Sequence, residues 1–285
     1  MTQPLITHYL YFAKYQSMNS NMYIPQSAHL KTMIGAVWQT EGRPGFKLET
    51  IIPKGVIEII FDLGSSSSVE ARLGNTEYRL PKYFINGFNT LPLQLQLPEK
   101  QYYFGVQFHP VVIKQLLGVP AGEFTNQSVD LGSLNSFFHC LWHQLAEAAS
   151  FNERVKIISD WLQKKSIDKS PQEEMMDLFL TNPYAESMPV SSLAKTLYYS
   201  PRHLSRKLKD LTGMNTEEIL LYKKYLHAVH LMQANDLSLT QVAYKSSFTD
   251  QSHFIRSFKT YAQMTPGEYR DMKSHIPGHF YRNVQ

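Results

Sequence analysis

The sequence predicts an α+β chain of two domains: an N-terminal β barrel followed by helices, then an all-α domain with two helix-turn-helix units. Three observations carry that prediction. Residues up to about 108 break into short β-branched and aromatic runs separated by turn residues, the pattern of a barrel or sandwich. Residues 111–181 switch to helical periodicity. Beyond residue 190, a ten-residue element occurs twice, fifty positions apart, within helix-forming sequence, as a supersecondary unit used twice would give.

In the β part, Thr50 to Asp62 is rich in isoleucine and valine around Pro53-Lys54-Gly55, a turn. Leu91 to Leu97 alternates strictly, as a half-buried strand does, and Tyr102 to Phe108 reads as another strand. Trp38 and Ile85 to Phe88 suggest further strands and turns, and Gly64 to Ser68 a flexible loop. Trp38, Tyr83, Phe84, Tyr103 and Phe104 are candidates for lining an apolar ligand pocket, with Gln107 added on the last strand, although core packing is the commoner role for such aromatics. Glu58 can face the lumen or solvent, because alternation permits either, and the outward placement is preferred. A metal centre is not expected: His109 stands alone, and Glu58 is the one obvious carboxylate in a strand pattern.

Two helices follow, Asn135 to Ala149 and Asn152 to Lys165, each with one apolar face; they are expected to form a hairpin against the barrel or against a second copy. His139 and His143 have the i, i+4 spacing that a metal could use, but without a third ligand they read as helix surface. Residues 166–170 read as a linker into a helix over Glu173–Leu180, which divides the chain into 1–170 and 171–285.

The repeated element reads S-P-R-H-L-S-R-K-L-K from Ser200 and D-Q-S-H-F-I-R-S-F-K from Asp250. Wound as helices, the copies put Leu204, Leu208 and Leu211, and Phe254, Phe258 and Tyr261, on one narrow side. Arg202, Arg206 and Lys209 lie opposite in the first, with Ser205 on the shoulder; Ser252, Arg256 and Lys259 lie opposite in the second, with Gln251 and Ile255 flanking. Each copy follows a short helix and a tight turn, with Ala194 and Ala243 small enough for a close crossing. That is a helix-turn-helix, whose second helix enters a DNA major groove. Ala to Arg is twelve steps in the first unit and thirteen in the second, so one turn is a residue longer. Between the units, residues 216–235 have helical periodicity, and some nineteen helical residues at about 1.5 Å each span roughly 28 Å, approaching the ~34 Å between successive major-groove faces.

Val190 to Arg270 resembles the two-unit DNA-binding domain of AraC/XylS-type transcription regulators, on Leu193-Ala194, Ser200 to Arg206, Lys209, Gly213, Val242-Ala243, Phe248, Asp250 to Phe254, Arg256, Phe258-Lys259 and Thr265 to Arg270. The chain departs from that pattern with Ser247 and Gln263 where the family has glycine; both positions favour φ > 0, so some strain is expected. Ile255 stands where a small polar residue is common, which suggests contact with a thymine methyl. Ile52 to Gly64 with Gly105 to Pro110 is similar to the cupin-like sensor domain of a subset of these regulators, which implies a cupin-like β domain that binds a small effector, mediates dimerisation, or both.

Arg206 and Arg256 are the first candidates for base-edge contacts, Arg202, Ser205, Gln251 and Ser252 the next, and Lys209 and Lys259 for phosphates. His203 and His253 border the apolar stripes and serve packing or phosphate. Residues 183–285 carry 13 Lys+Arg against 8 Asp+Glu, and residues 1–182 carry 15 against 16, so the polyanion partner belongs to the C-terminal part. One cysteine, Cys140, and no apolar leader or span point to a reducing, cytoplasmic compartment and no membrane.

The expected function is a sequence-specific regulator of double-stranded DNA responsive to an unidentified small molecule, with no cofactor and no catalytic residue; RNA polymerase is a candidate contact and a homodimer a candidate assembly. The rivals are a cupin-type enzyme with a DNA-binding appendage, such as an alkyl acceptor using Cys140, and an architectural DNA binder without an effector.

Overall fold

A computed structural model of the chain describes residues 18–64, 68–182, 189–234, 236–272 and 278–283. Its strands are β1 (Met18–Tyr23), β2 (Ile34–Gly42), β3 (Leu48–Ile51), β4 (Ile57–Asp62), β5 (Glu70–Leu73), β6 (Thr76–Arg79), β7 (Tyr83–Asn86), β8 (Leu93–Gln96), β9 (Gln101–Phe108), β10 (Ser128–Asp130) and β11 (His279–Arg282). They form two antiparallel sheets, one ordered β1-β2-β9-β4-β7-β10 and the other β11-β3-β8-β5-β6. The Pro53-Lys54-Gly55 turn joins β3 to β4, and Gly55 takes the positive φ of +70° that such a reversal requires. In β8 the expected alternation is realised, with Leu93 and Leu95 buried. The expected Gly64–Ser68 loop lies largely on residues 65–67, outside the described residues.

The helices are α1 (Ala28–Lys31), α2 (Pro110–Leu117), α3 (Phe137–Glu147), α4 (Phe151–Gln163), α5 (Pro171–Thr181), α6 (Val190–Thr196), α7 (Pro201–Thr212), α8 (Thr216–Ala234), α9 (Leu239–Lys245), α10 (Gln251–Ala262) and α11 (Pro266–Asp271). The α3–α4 hairpin packs on the six-stranded sheet of its own chain, where Phe151 meets Phe104 at 6.3 Å and Trp161 meets Phe108 at 6.5 Å between ring centroids. Arg154, 3% exposed, donates to the Leu145 carbonyl at 2.8 Å and to Gln39 Oε1 at 3.2 Å, so its buried charge is met by acceptors on both the hairpin and β2.

Three expectations are corrected. The stretch at 166–170 is not a free linker: Lys169 binds the Thr32 carbonyl and Asp177, the Asp168 carbonyl accepts from Gln115 at 3.0 Å, and Ser170 caps α5 with a capping box to Glu173. The helical region also contains β10, which pairs with β7; three residues are too few to set a period. The tail after Arg270, whose run from His275 to His279 has no periodicity and so reads as frayed or loosely packed, is paired where it is described: His279 to Arg282 adds as β11 to β3, in register from His279 opposite Ile51 to Arg282 opposite Leu48.

The largest apolar cluster is continuous from the six-stranded sheet through the hairpin into the C-terminal helices, and a smaller one lies under β5 and β8. At the centre of the first is α8, buried on most of its circumference, with Lys223 and His227 enclosed alongside its apolar residues. Tyr222 Oη donates to the Asn89 carbonyl at 2.8 Å and Tyr225 Oη to the Pro53 carbonyl at 3.2 Å, so loops of the β domain are bonded to the helix that joins the two repeated units.

Candidate nucleic-acid interface and ligand pocket

Each repeated unit is built the same way locally. Ser200 and Asp250 cap the N-termini of α7 and α10, accepting from the backbone N–H of His203 at 3.3 Å and His253 at 2.8 Å. The turns match as well: the Ala194 carbonyl accepts from Tyr199 N–H at 2.9 Å, and the Ala243 carbonyl from Phe248 N–H at 3.0 Å. One residue in each turn is forced to positive φ, Tyr198 at +56° and Ser247 at +62°, and Gln263 ends α10 at +55°. The strain expected at Ser247 and Gln263 is therefore present, and Tyr198 shares it. Four residues separate α6 from α7 and five separate α9 from α10, which is the extra residue counted in the sequence.

The apolar stripes are inside: Leu204, Leu208, Phe254 and Phe258 are fully buried. Arg202, His203, Arg206 and Lys209 are exposed on α7, and Gln251, Ser252, Arg256 and Lys259 on α10; Ser205, His253 and Ile255 are half-buried. The two histidines occupy equivalent places, His203 against the Tyr199 ring at 4.7 Å and His253 against Phe248 at 5.4 Å. Both rings thus brace the turn. Gln251 is held by Thr240, whose hydroxyl donates to its Oε1 at 2.8 Å. Lys207, between the exposed cations, turns instead to Glu173 on α5 at 3.2 Å. Burial raises the Glu173 pKa, but hydrogen bonds from Ser170 and Lys207 outweigh it and leave the carboxyl below its ordinary range. The sequence reading did not single out Tyr198 and Tyr244, which stand 79% and 64% exposed beside the turns.

A cavity lies between the two sheets of the β domain. Its walls follow the period-two rule strand by strand: Trp38 and Thr40 from β2, Glu49 and Ile51 from β3, Glu58 and Ile60 from β4, Phe84 and Asn86 from β7, Leu93 and Leu95 from β8, Gln101 and Tyr103 from β9, and His279 and Tyr281 from β11. Of the candidate effector contacts, Phe104 is fully buried against Phe61 and Phe151, whereas Trp38, Glu58, Phe84 and Tyr103 line the cavity. Tyr83 does not; it faces the other side of β7, with its ring 6.5 Å from Trp142 and its hydroxyl 3.4 Å from His139 Nδ1. Gln107 is buried further along β9, past Gly105, where Trp38 lies so close that a Cβ would meet it at 2.2 Å. Glu58 is 3% exposed, so the outward placement is corrected: its Oε1 accepts from Trp38 Nε1 at 2.9 Å and its Oε2 lies 3.7 Å from Lys54 Nζ.

The polar end of the cavity continues from there. Lys54 Nζ is 3.5 Å from His279 Nε2, and His279 Nδ1 is 2.6 Å from Glu49 Oε1. Burial, then the Lys54 ammonium, lower the His279 pKa against the pull of Glu49. Burial raises the Tyr103 hydroxyl well above its usual value. Glu49, Asn89, His279 and Tyr281 were missed by the sequence reading; the alternating, aromatic His279-Phe280-Tyr281-Arg282 was the available signal for the last two. His139 and His143 lie 3.2 Å apart through Nε2 on the exposed face of α3 beside exposed Cys140. Among the described residues, no group of three or more His, Cys, Asp and Glu is placed to hold a metal ion, and no helix is long and apolar enough to cross a membrane.

The fold and these exposed faces define a two-unit helix-turn-helix protein joined to a β domain with an internal cavity. Residues 193–272 match a family described as a helix-turn-helix domain, and residues 22–130 match a domain family of unknown function, DUF6597. The C-terminal part of the chain is thus similar to the helix-turn-helix part of AraC/XylS-type proteins. Similar sequences include the HTH-type transcriptional activator RhaS of Yersinia pestis, 34% identical over 34% of this chain and 35% of that protein, and the uncharacterized HTH-type transcriptional regulator YijO of Escherichia coli, 27% identical over 40% of each. The chain thus spans about two fifths of the length of the curated relatives it matches. Among solved structures, ToxT from Vibrio cholerae aligns over 91% of this chain and 100% of its own at 14% identity and a TM-score of 0.47. The DNA-binding domain of AdpA in complex with a target DNA aligns over 36% of this chain and 92% of its own at 26% identity and a TM-score of 0.33.

Proposed function

We propose that this protein is a sequence-specific DNA-binding transcription regulator that reads two successive major grooves and responds to a small molecule held in its β domain. The observation that carries the reading is the pair of exposed cationic faces, on α7 and α10, borne by two units of the same local construction at the two ends of the 19-residue helix α8. Cationic faces on second helices suit phosphates and guanine edges alike. The relatives named as transcriptional regulators and activators support the class. The cavity, with its apolar walls and a few converging polar groups, supports the effector, and argues against a purely architectural binder.

In this reading Arg206 and Arg256 contact base edges, Arg202, Ser205, Gln251, Ser252 and Ile255 flank them, and Lys209 and Lys259 hold phosphates, with His203 and His253 bracing the turns beneath. RNA polymerase as downstream contact, a homodimer as assembly and the cytoplasm as compartment come with the reading, and it assigns no catalytic step. Selection of duplexes from a random pool with the purified full chain tests it: a recurring two-part motif is expected, and recovery of sequences without any common motif would overturn sequence-specific binding.

A further inference from the structure

One wall of the cavity comes from the far end of the chain, and that wall has two faces. Alternation along β11 turns His279 and Tyr281 into the cavity. The residues between and after them point the other way: Phe280, 4% exposed, packs edge-on against Tyr269 of α11 at 5.5 Å, and Arg282 Nη2 donates to Met272 Sδ at 3.4 Å. Tyr269 in turn meets Phe258 of α10 at 5.4 Å. Two ring contacts therefore separate the cavity strand from the apolar stripe of the helix that carries Arg256.

The polar groups at the cavity end define what fits there. Glu58 and Glu49 are carboxylates with side chains only 4% and 9% exposed. The cation beside them, Lys54, is 24% exposed and sits 3.7 Å from Glu58. The contacts of His279 suit a neutral ring, with Nδ1 2.6 Å from Glu49 Oε1 as the side that would carry the proton and Nε2 3.5 Å from the Lys54 ammonium as the side that would accept. Asn89 lines the same end, is 9% exposed, and has its Oδ1 buried with no hydrogen-bond partner, while its Nδ2 donates to Asn86, the residue opposite Glu58. A buried orphan acceptor calls for a donor, and an acidic, poorly solvated end opposes a further anion.

We propose that the cavity binds a small primary amine on an apolar aryl or alkyl body, its ammonium seated among Glu58, Asn89 and the Glu49–His279 pair, and that β11 reports its presence to the second helix-turn-helix unit. The ligand class deepens the effector reading and rests on it; the reporting step adds a named route. An amine that recruits Glu49 or Glu58 alters the partners of His279, and a shift of β11 along β3 moves Phe280 against Tyr269. Binding can shift α10 only by this kind of differential contact.

The test uses the full chain and three probes with one body: 2-phenylethylamine, 2-phenylethanol and phenylacetate. Calorimetry without DNA is expected to show the amine binding about ten-fold or more tighter than the alcohol, the ratio one charge-assisted hydrogen bond gives, and phenylacetate weakest. Glu58→Gln is expected to erase the preference of amine over alcohol, and Asn89→Ala to weaken the amine if that variant fails to fold. Phenylacetate binding as tightly as the amine, no binding by any probe, or an unchanged preference in the variants overturns the ligand class. In the second arm, the amine is expected to change affinity for the selected duplex in the wild type and not in Phe280→Leu, which keeps an apolar side chain outside the cavity and should still take the amine. An equal response in Phe280→Leu, or none in an amine-loaded wild type, overturns the reporting role. A chain that binds the amine but no duplex sinks the DNA-binding reading instead.

Discussion

The carbonyl oxygen of Lys209, in the last turn of α7, lies so close to Gly122 that a Cβ on that glycine would stand 2.2 Å from it. Gly122 sits in a short turn between α2 and β10, so the β domain grips the end of the helix that carries Arg206. Thr125 reinforces the grip by donating to the Thr212 carbonyl at 2.9 Å. Gly122→Ala must push the two apart, at about 1–3 kcal/mol for an overpacked contact. The expected result is a lower midpoint in urea and faster proteolysis near α7, with an unchanged midpoint excluding a tight contact.

Arg206→Ala and Arg256→Ala are each expected to weaken binding to the selected duplex by about 1–3 kcal/mol and to relax preference at one position. Lys209→Ala should weaken all duplexes alike and lower the salt slope by about one. Titrations at several salt concentrations, on selected and scrambled duplexes, separate the two behaviours; an equal loss on both for Arg206→Ala removes it from base reading.

Tyr222→Phe keeps the ring against Tyr261, whose centroid is 5.1 Å away, and deletes only the hydroxyl bonded to Asn89. The buried carbonyl left behind should cost about 1–3 kcal/mol in denaturant unfolding. Because that carbonyl belongs to a residue of the cavity wall, the thermal shift given by 2-phenylethylamine should fall as well.

Ser247→Gly relieves a left-handed residue whose strain is about 1–2 kcal/mol and adds about 0.4–1 kcal/mol of unfolded-chain entropy against it. The net expectation is a gain of roughly half to one kcal/mol, read as a higher urea midpoint at unchanged slope. Gln263→Gly should behave the same way, and Ser247→Ala should gain nothing.

The folded pKa of His279 lies below its ordinary 6.5, with Lys54, Glu49 and Glu58 the charged groups that act on it. The unfolded chain therefore takes up this proton first. The stability from the neutral ring is present above about pH 6.5 and is lost as pH falls through the folded value. Unfolding midpoints between pH 8 and pH 5 should drop for the wild type more than for His279→Gln, and parallel curves would remove His279 from the linkage.

Local chemistry wrote much of this protein into the sequence. Ser200-Pro201 and Asp250 start helices by capping them, the leucine and phenylalanine spacings fix which side of α7 and α10 is hidden, the isoleucine and valine runs on either side of Pro53-Lys54-Gly55 mark strands, and Leu91 to Leu97 alternates as a half-buried strand does. Those signals act over a few residues, so reading them needed no partner. The side on which Glu58 points, the placing of Tyr83 and Gln107 away from the cavity, and the strand made from His279 to Arg282 were decided elsewhere. Each depends on which backbone lies alongside, and pairing β11 with β3 joins residues more than two hundred positions apart. The sequence determined the two cationic helices; only tertiary packing, by burying Glu49, Glu58 and Asn89 around a strand from the other end of the chain, made a pocket whose last strand stands two ring contacts from the second of them.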